Sequence, residues 1–143
     1  MAGDSKVIFS DYVIKVNRRN KMQKRVLMLT DGGLYNLDPS NFKAKRRIDV
    51  TKLTHVSLSE LSDNFFALHV DKEYDYLMVS GKKIEIVMHL MAIYEEKKKQ
   101  ALRVVFDNCF DYRIDEENVR EIHFTKVEGG VSTQIYTKSS KQK

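Results

Sequence analysis

The densest chemistry in this 143-residue chain is cationic. Lys15 to Arg25 holds six basic residues (Lys15, Arg18, Arg19, Lys21, Lys24, Arg25) and no acid, and Lys43 to Arg47 adds Lys43, Lys45, Arg46 and Arg47. Cations without local counter-ions select anionic partners: lipid headgroups, nucleic acid or acidic protein surfaces. The excess is regional. Residues 1–50 carry 11 Lys and Arg against 5 Asp and Glu, whereas residues 51–143 carry 14 against 15, so the formal charge of +5 arises in the first third.

Other reactive residues form no recognisable set by spacing. His55, His69, His89 and His123 are scattered, and no H-E-x-x-H or Cys-x-x-Cys accompanies them, so the sequence predicts no metal. Asp107, Asp111 and Asp115 recur every four residues, without the alternating-oxygen spacing and central Gly of a calcium loop. Cys109 would need a spatially adjacent base to act as a nucleophile. The Gly pairs Gly32-Gly33 and Gly129-Gly130 make neither a P-loop nor a dinucleotide loop. No catalytic residues and no cofactor are predicted.

The elements that must hold these cations read mostly as short strands. Val7–Val16, Arg25–Thr30, Leu34–Leu37, Lys45–Val50, Leu53–Leu58, Phe65–Val70 and Tyr74–Val79 are rich in β-branched and aromatic residues. Asp31-Gly32-Gly33 predicts a hairpin turn through glycine's tolerance of positive φ. The first basic run joins two strands and reads as a hairpin loop; the second reads as another loop on the same rim. From Lys82 to Gln100 the period changes to helical, with Ile84, Val87, Met88, Met91 and Tyr94 apolar and Ser80 near the N-cap. Further strands are expected at Ala101–Phe106, Phe110–Ile114, Val119–Val127 and Ser132–Tyr136.

Composition fits that of a globular domain: 42% hydrophobic, 31% charged, with six Gly and one Pro. The most apolar stretch, about 84–94, is far shorter than the ~20 residues of a bilayer span. No signal peptide or lipid-anchor motif is visible. A single cysteine cannot form an internal disulfide, which suits a reducing cytoplasm. The expected organisation is one domain over residues 1–137 with a flexible basic tail at 138–143.

Two blocks resemble the first tail-homology domain of class I myosins. One is Tyr12-Val13-Ile14-Lys15, Lys24-Arg25-Val26-Leu27-Met28-Leu29-Thr30 and Leu34-Tyr35-Asn36-Leu37. The other is Arg47-Ile48-Asp49-Val50 followed by Leu53 to Val70, whose S-x-S-x-L-S-D-x-x-F-x-L-H-V pattern is the more specific signal. The resemblance covers about residues 7–127. It implies a mainly β, pleckstrin-homology-like fold: a bent seven-stranded sheet, sandwich- or barrel-like, capped by one α-helix, here with extra C-terminal strands.

The resemblance also implies a role: binding anionic phospholipids, including phosphoinositides and phosphatidylserine, to tether an actin motor to membranes. The family's phosphate signature is a Lys late in the first strand, then a basic residue, a spacer and an Arg opening the second. Lys15 and Arg25 match its ends, while Gln23 stands at the middle position. The expected lipid-binding residues are Lys15, Arg18, Arg19, Lys21, Lys24, Arg25, Lys45 and Arg46, on a peripheral membrane protein of the cytoplasm. Met22, central in the loop, is a candidate for shallow insertion. Without a P-loop the chain is no motor, and reads as a stand-alone tail-like protein or a fragment of a longer one. Nucleic-acid binding and protein interaction through the same basic face are the alternatives, although no aromatic interleaves the runs and no RNP-like pattern occurs.

Overall fold

A computed structural model describes residues 4–139. Eleven strands and one α-helix follow in chain order: β1 (Val7–Val16), β2 (Met22–Thr30), β3 (Gly33–Leu37), β4 (Ala44–Asp49), a 3-10 turn (Val50–Lys52), β5 (Leu53–Leu58), β6 (Phe65–Val70), β7 (Tyr76–Val79), α1 (Lys83–Lys98), β8 (Arg103–Phe106), β9 (Cys109–Arg113), β10 (Asn118–Val127) and β11 (Gly130–Ser139). β1 to β8 form one sheet in the order β4-β3-β2-β1-β7-β6-β5-β8, and β9 to β11 form a second, β11-β10-β9. The large sheet therefore has eight strands where seven were expected. β8 is the addition, laid parallel to β5 after the helix crosses over.

Three layers bury two cores. Leu34 and Ile48, near one edge of the large sheet, share a core with Leu58 and Phe66, near the other. Strands lie about 4.8 Å apart, so residues this many strands distant meet only because the sheet bends around them. The bend does not close a barrel. Ile86, Val87, Leu90, Ile93 and Tyr94 of α1 fill the concave side. On the convex side Val16, Ala67 and Leu77 pack against Tyr112, Ile122 and Phe124 of the small sheet.

Strand alternation thus assigns every residue a layer. On β1 and β2, Val13, Leu27 and Leu29 point into the concave core, while Val16 points to the small sheet. The helix matches the expected span, but its outward side keeps Ile84, Met88 and Met91 in solvent. It packs beside Phe9 and the 3-10 turn, with the His89 ring 5.5 Å from that of Phe9. That is the end of the sheet opposite the β1–β2 loop.

The 31–33 turn forms as expected, for a different reason. Neither Gly32 nor Gly33 has positive φ. A Cβ on Gly32 would lie 2.4 Å from Asp4 Oδ1, and one on Gly33 would lie 2.9 Å from the Ile48 carbonyl oxygen. Close approach, not backbone handedness, requires glycine here. Lys138 and Ser139 belong to β11 rather than to a tail, and residues 140–143 of the expected tail lie outside the described residues.

Candidate anion-binding site

The first basic run is mostly strand. Only residues 17–21 form the β1–β2 loop; Lys15 ends β1, and Lys24 and Arg25 lie within β2. Strand alternation then divides the cations. Lys15 pairs with Gln23, and Val13 with Arg25, so Lys15, Gln23 and Arg25 share the concave face with the core residue Val13. Lys24 falls on the convex face, where its Nζ sits 4.3 Å from the Tyr12 ring centroid. Arg46 on β4 lies opposite Asn36, two places from the core residue Ile48, and returns to the concave face.

Four cations therefore approach one another at the open end. Burial, followed by the charges of Arg25, Arg46 and Arg18, pushes the Lys15 ammonium below its ordinary range. Lys15 Nζ lies 5.4 Å from the Tyr76 ring centroid, and the Arg46 guanidinium stacks over Tyr74 at 3.8 Å and Tyr76 at 4.8 Å. Arg25 Nη1 donates to the Lys24 carbonyl at 2.8 Å and Nη2 to Gln23 Oε1 at 3.0 Å. Gln23 thus orients Arg25 by accepting a hydrogen bond. Arg25 Nε and Arg46 Nη1 are buried without a hydrogen-bond partner, a state that a water or an anionic oxygen relieves. Beside Lys15 opens a hollow of about 370 Å³, lined by Arg18, Arg19, Tyr74 and Tyr112 and also by two carboxylates, Asp75 and Asp115.

The remaining expected residues separate from this cluster. Arg19 and Lys21 are exposed around the loop, as is the cluster's own Arg18. Lys45 faces away from Arg46 toward Asp38, 3.9 Å distant. The second run is strand β4 rather than a rim loop, because its backbone pairs with β3 from Gly33 to Leu37. Arg46 and Arg47, like Lys45, have acidic partners within the chain. Arg47 donates to Asp4 Oδ1 at 2.8 Å, and Tyr35 and Thr30 also donate to Asp4, at 2.5 and 2.8 Å. Burial raises the Asp4 carboxyl, but these hydrogen bonds outweigh it and hold the group below its ordinary range. Arg46 Nη2 reaches Glu73 Oε1 at 2.8 Å.

Arg120, invisible to the sequence reading, organises the loop. It lies 8% exposed on β10, donates to Asn20 Oδ1 at 2.7 Å and the Asn17 carbonyl at 3.3 Å, and reaches the Arg18 carbonyl. A hundred residues of separation hid this contact. Within the loop, Asn17 Oδ1 accepts from the Arg19 and Lys21 amides, and Asn20 takes positive φ. Met22, expected central in the loop, instead opens β2 opposite Val16 and is 62% exposed, and Phe42, in the β3–β4 loop at the same end, is 59% exposed.

Two other constellations bring reactive side chains together. Ser57 Oγ lies 2.7 Å from His69 Nε2, and His69 Nδ1 lies 3.0 Å from Asp75 Oδ2, the connectivity of an acyl-transfer triad. Ser57 is 3% exposed and His69 7%, so no substrate carbonyl reaches the hydroxyl. The network is a clamp instead. Asp75 also accepts from the Val70 and Arg113 amides, at 3.0 and 2.9 Å, joining the two sheets. His55 stacks on His69 at 4.0 Å, and burial, then the His69 and Arg103 charges, lowers it to about 4. Cys109 lies beside His123, but burial and the carboxylates of Glu121, Asp107 and Asp111 hold its thiol above the ordinary range, the opposite of an activated nucleophile.

Comparisons with known proteins agree with this geometry. Residues 1–143 match a family described as "Unconventional myosin tail, actin- and lipid-binding". Myosin IB heavy chain of Dictyostelium discoideum is 33% identical over 129 residues, covering 86% of this chain and 12% of that protein. The chain thus spans about an eighth of its relative's length. Among solved structures, the PH domain of human oxysterol-binding-protein-related protein 11 aligns with a TM-score of 0.55 at 15% identity, over 69% of this chain and 88% of that one. The Slm1 PH domain, solved with inositol 4-phosphate, aligns at 0.50 and 13% identity, over 63% and 95%. These two likenesses establish a PH-like fold. No helix among the described residues is long and apolar enough to cross a membrane.

Proposed function

The chain belongs to the unconventional-myosin tail family, and from that premise we propose that its open end binds the phosphates of anionic lipid headgroups, phosphoinositides and phosphatidylserine among them. The observation that carries this reading is the convergence of Lys15, Arg18, Arg25 and Arg46, with Lys15 depressed by burial first and then by the other three charges. Like charges held together at a cost in repulsion are stabilised by an arriving anion. Arg25 and Arg46 offer forked donors with an N–H each to spare, and Lys15 a compact point charge. Arg19 and Lys21, exposed on the loop, add nonspecific attraction, worth about 1 kcal/mol per cation near an anionic leaflet and screened within a Debye length. Lys24, on the convex face, and Lys45, paired with Asp38, contribute only this longer-range field.

The fold supports the same placement. The β1–β2, β3–β4 and β6–β7 loops share one end of the sheet, with Met22 and Phe42 exposed there to enter the headgroup layer. The protein then acts as a peripheral membrane module of the cytoplasm and not as an enzyme. Within a longer heavy chain of the kind it resembles, it would tether an actin motor to a membrane.

Vesicle sedimentation tests the assignment. The Lys15→Ala/Arg25→Ala variant should bind phosphoinositide-containing vesicles about 30-fold more weakly than the parent at low salt, at about 1 kcal/mol per cation. Raising the salt should weaken the parent more than the variant. Equal pelleting of the two overturns the site. Indifference to vesicle charge, together with tight binding of an RNA oligomer, overturns the lipid reading in favour of nucleic acid.

A further inference from the structure

The outward face of the small sheet carries a different chemistry from the cationic end. Alternation turns Arg120, Ile122 and Phe124 of β10 toward the large sheet, and leaves Glu121 and His123 facing away. Register places Cys109 of β9 directly across from His123, and Asp111 across from Glu121. Residues 12 and 14 positions apart in sequence thereby become neighbours. Cys109 Sγ lies 3.6 Å from His123 Nε2, His123 Nε2 lies 2.9 Å from Glu121 Oε1, and the three ligating atoms all fall within 4.8 Å of one another.

We propose that Cys109, Glu121 and His123 form a three-ligand site for a divalent transition ion of the zinc class. Metal–sulfur and metal–nitrogen bonds of about 2.3 and 2.05 Å at a tetrahedral centre put sulfur and nitrogen about 3.6 Å apart, and nitrogen and oxygen about 3.4 Å apart. The first separation is already present. The second requires the Glu121 carboxylate to withdraw by about 0.5 Å from its hydrogen bond, an adjustment within reach of a half-buried side chain on an outer face.

The donor set decides the ion. One thiolate, one imidazole and one carboxylate suit zinc or cobalt(II), whereas magnesium and calcium require oxygen ligands throughout. The carboxylate of Asp111, across from Glu121 on β9, and that of Glu121 itself give this face an acidic character that favours a bound dication. His123 is steadied edge-on against the Tyr136 ring at 5.0 Å. Lys138 opposes the ion, but its Nζ sits on Asp111 Oδ2 at 3.1 Å and only 3.9 Å from Glu121 Oε2, leaving Oε1 directed at His123. Asp111 is held in that pair, so the fourth position of the ion goes to water or an external ligand.

The test is titration of the full chain with cobalt(II), followed by thiolate-to-cobalt charge-transfer absorption and the visible bands of a four-coordinate ion. The expected result is saturation at one ion per chain and bleaching by added zinc. His123→Ala and Glu121→Gln should each weaken binding by at least tenfold, and Asp111→Asn by no more than about twofold. Melting curves without metal check that each variant is folded; if His123→Ala is not, Glu121→Gln carries the comparison. The proposal is overturned if the parent shows no thiolate band under excess cobalt, or if Glu121→Gln titrates like the parent. It also fails if Asp111→Asn loses as much as the ligand variants, which would mean a diffuse acidic surface.

Discussion

The two basic runs are alike in sequence and opposite in the folded chain. Both are dense in cations and contain no acid. In the first, Lys15, Arg18 and Arg25 form no direct ion pair among the described residues, although Asp38 lies near Arg25 and Asp115 near Arg18; burial, then the neighbouring arginines, depresses Lys15. In the second, Arg47 is held by Asp4 and Arg46 by Glu73, acids 43 and 27 residues away. Charge density along a chain therefore measures potential for binding, not the charge that remains free. A run keeps most of its field where the fold brings no acid into direct contact with it.

The sharpest way to break the contrast is to release the second run. Asp4→Ala leaves Arg47, Tyr35 and Thr30 without their common acceptor, and should cost about 3 kcal/mol of unfolding free energy by urea denaturation. Acid acts on the same contact. The Asp4 carboxyl titrates below its ordinary 3.8 when folded, so its contribution is present above about pH 3.8 and is lost as pH falls through the folded value. Asp4→Asn should accordingly show a shallower loss of stability below pH 3.8 than the parent; an unchanged acid limb would mean that the ion pair contributes nothing.

Arg120 sharpens the contrast from the other side, since it holds the first run in place through backbone carbonyls rather than by neutralising it. Arg120→Ala should lower stability by about 1–2 kcal/mol, and should raise amide hydrogen exchange at residues 17–21. Exchange unchanged there would show that the loop orders itself through Asn17 alone. The smallest effects distinguish a cation of the cluster from a paired one. Lys15→Ala should weaken binding to anionic vesicles about fivefold, whereas Lys45→Ala, at a cation already paired with Asp38, should change it by less than twofold. Equal losses would mean that the vesicle senses overall charge, with no site at the open end.

Much of the fold was legible because its signals are local. The β-branched and aromatic runs mark strands within a few residues of their observed ends, and the helical period of 82–100 marks α1. Where the reading missed, a nonlocal partner decided. Met22–Lys24 look like loop because they are polar, yet β1 pairs with them through Val16, Lys15 and Ile14 and extends the strand. Ile84, Met88 and Met91 look like core by spacing, but the concave face is already filled by Ile86, Val87, Leu90, Ile93 and Tyr94. Lys15, Arg18, Arg25 and Arg46 were all expected from the sequence; what it did not show is that Arg46 turns to the concave face while Lys24 turns to the convex one.

The sequence by itself determined the strand and helix inventory, the family, and the concentration of positive charge in residues 1–50, because propensity, periodicity and composition are properties of neighbouring residues. Only the tertiary structure decided which cations stay free, that Arg120 braces the loop, and that Cys109, Glu121 and His123 meet on one face. Each of those depends on strand register or on acids dozens of residues away. Electrostatic and ligand contacts act over a few ångströms of space, a distance that spacing along the chain does not encode.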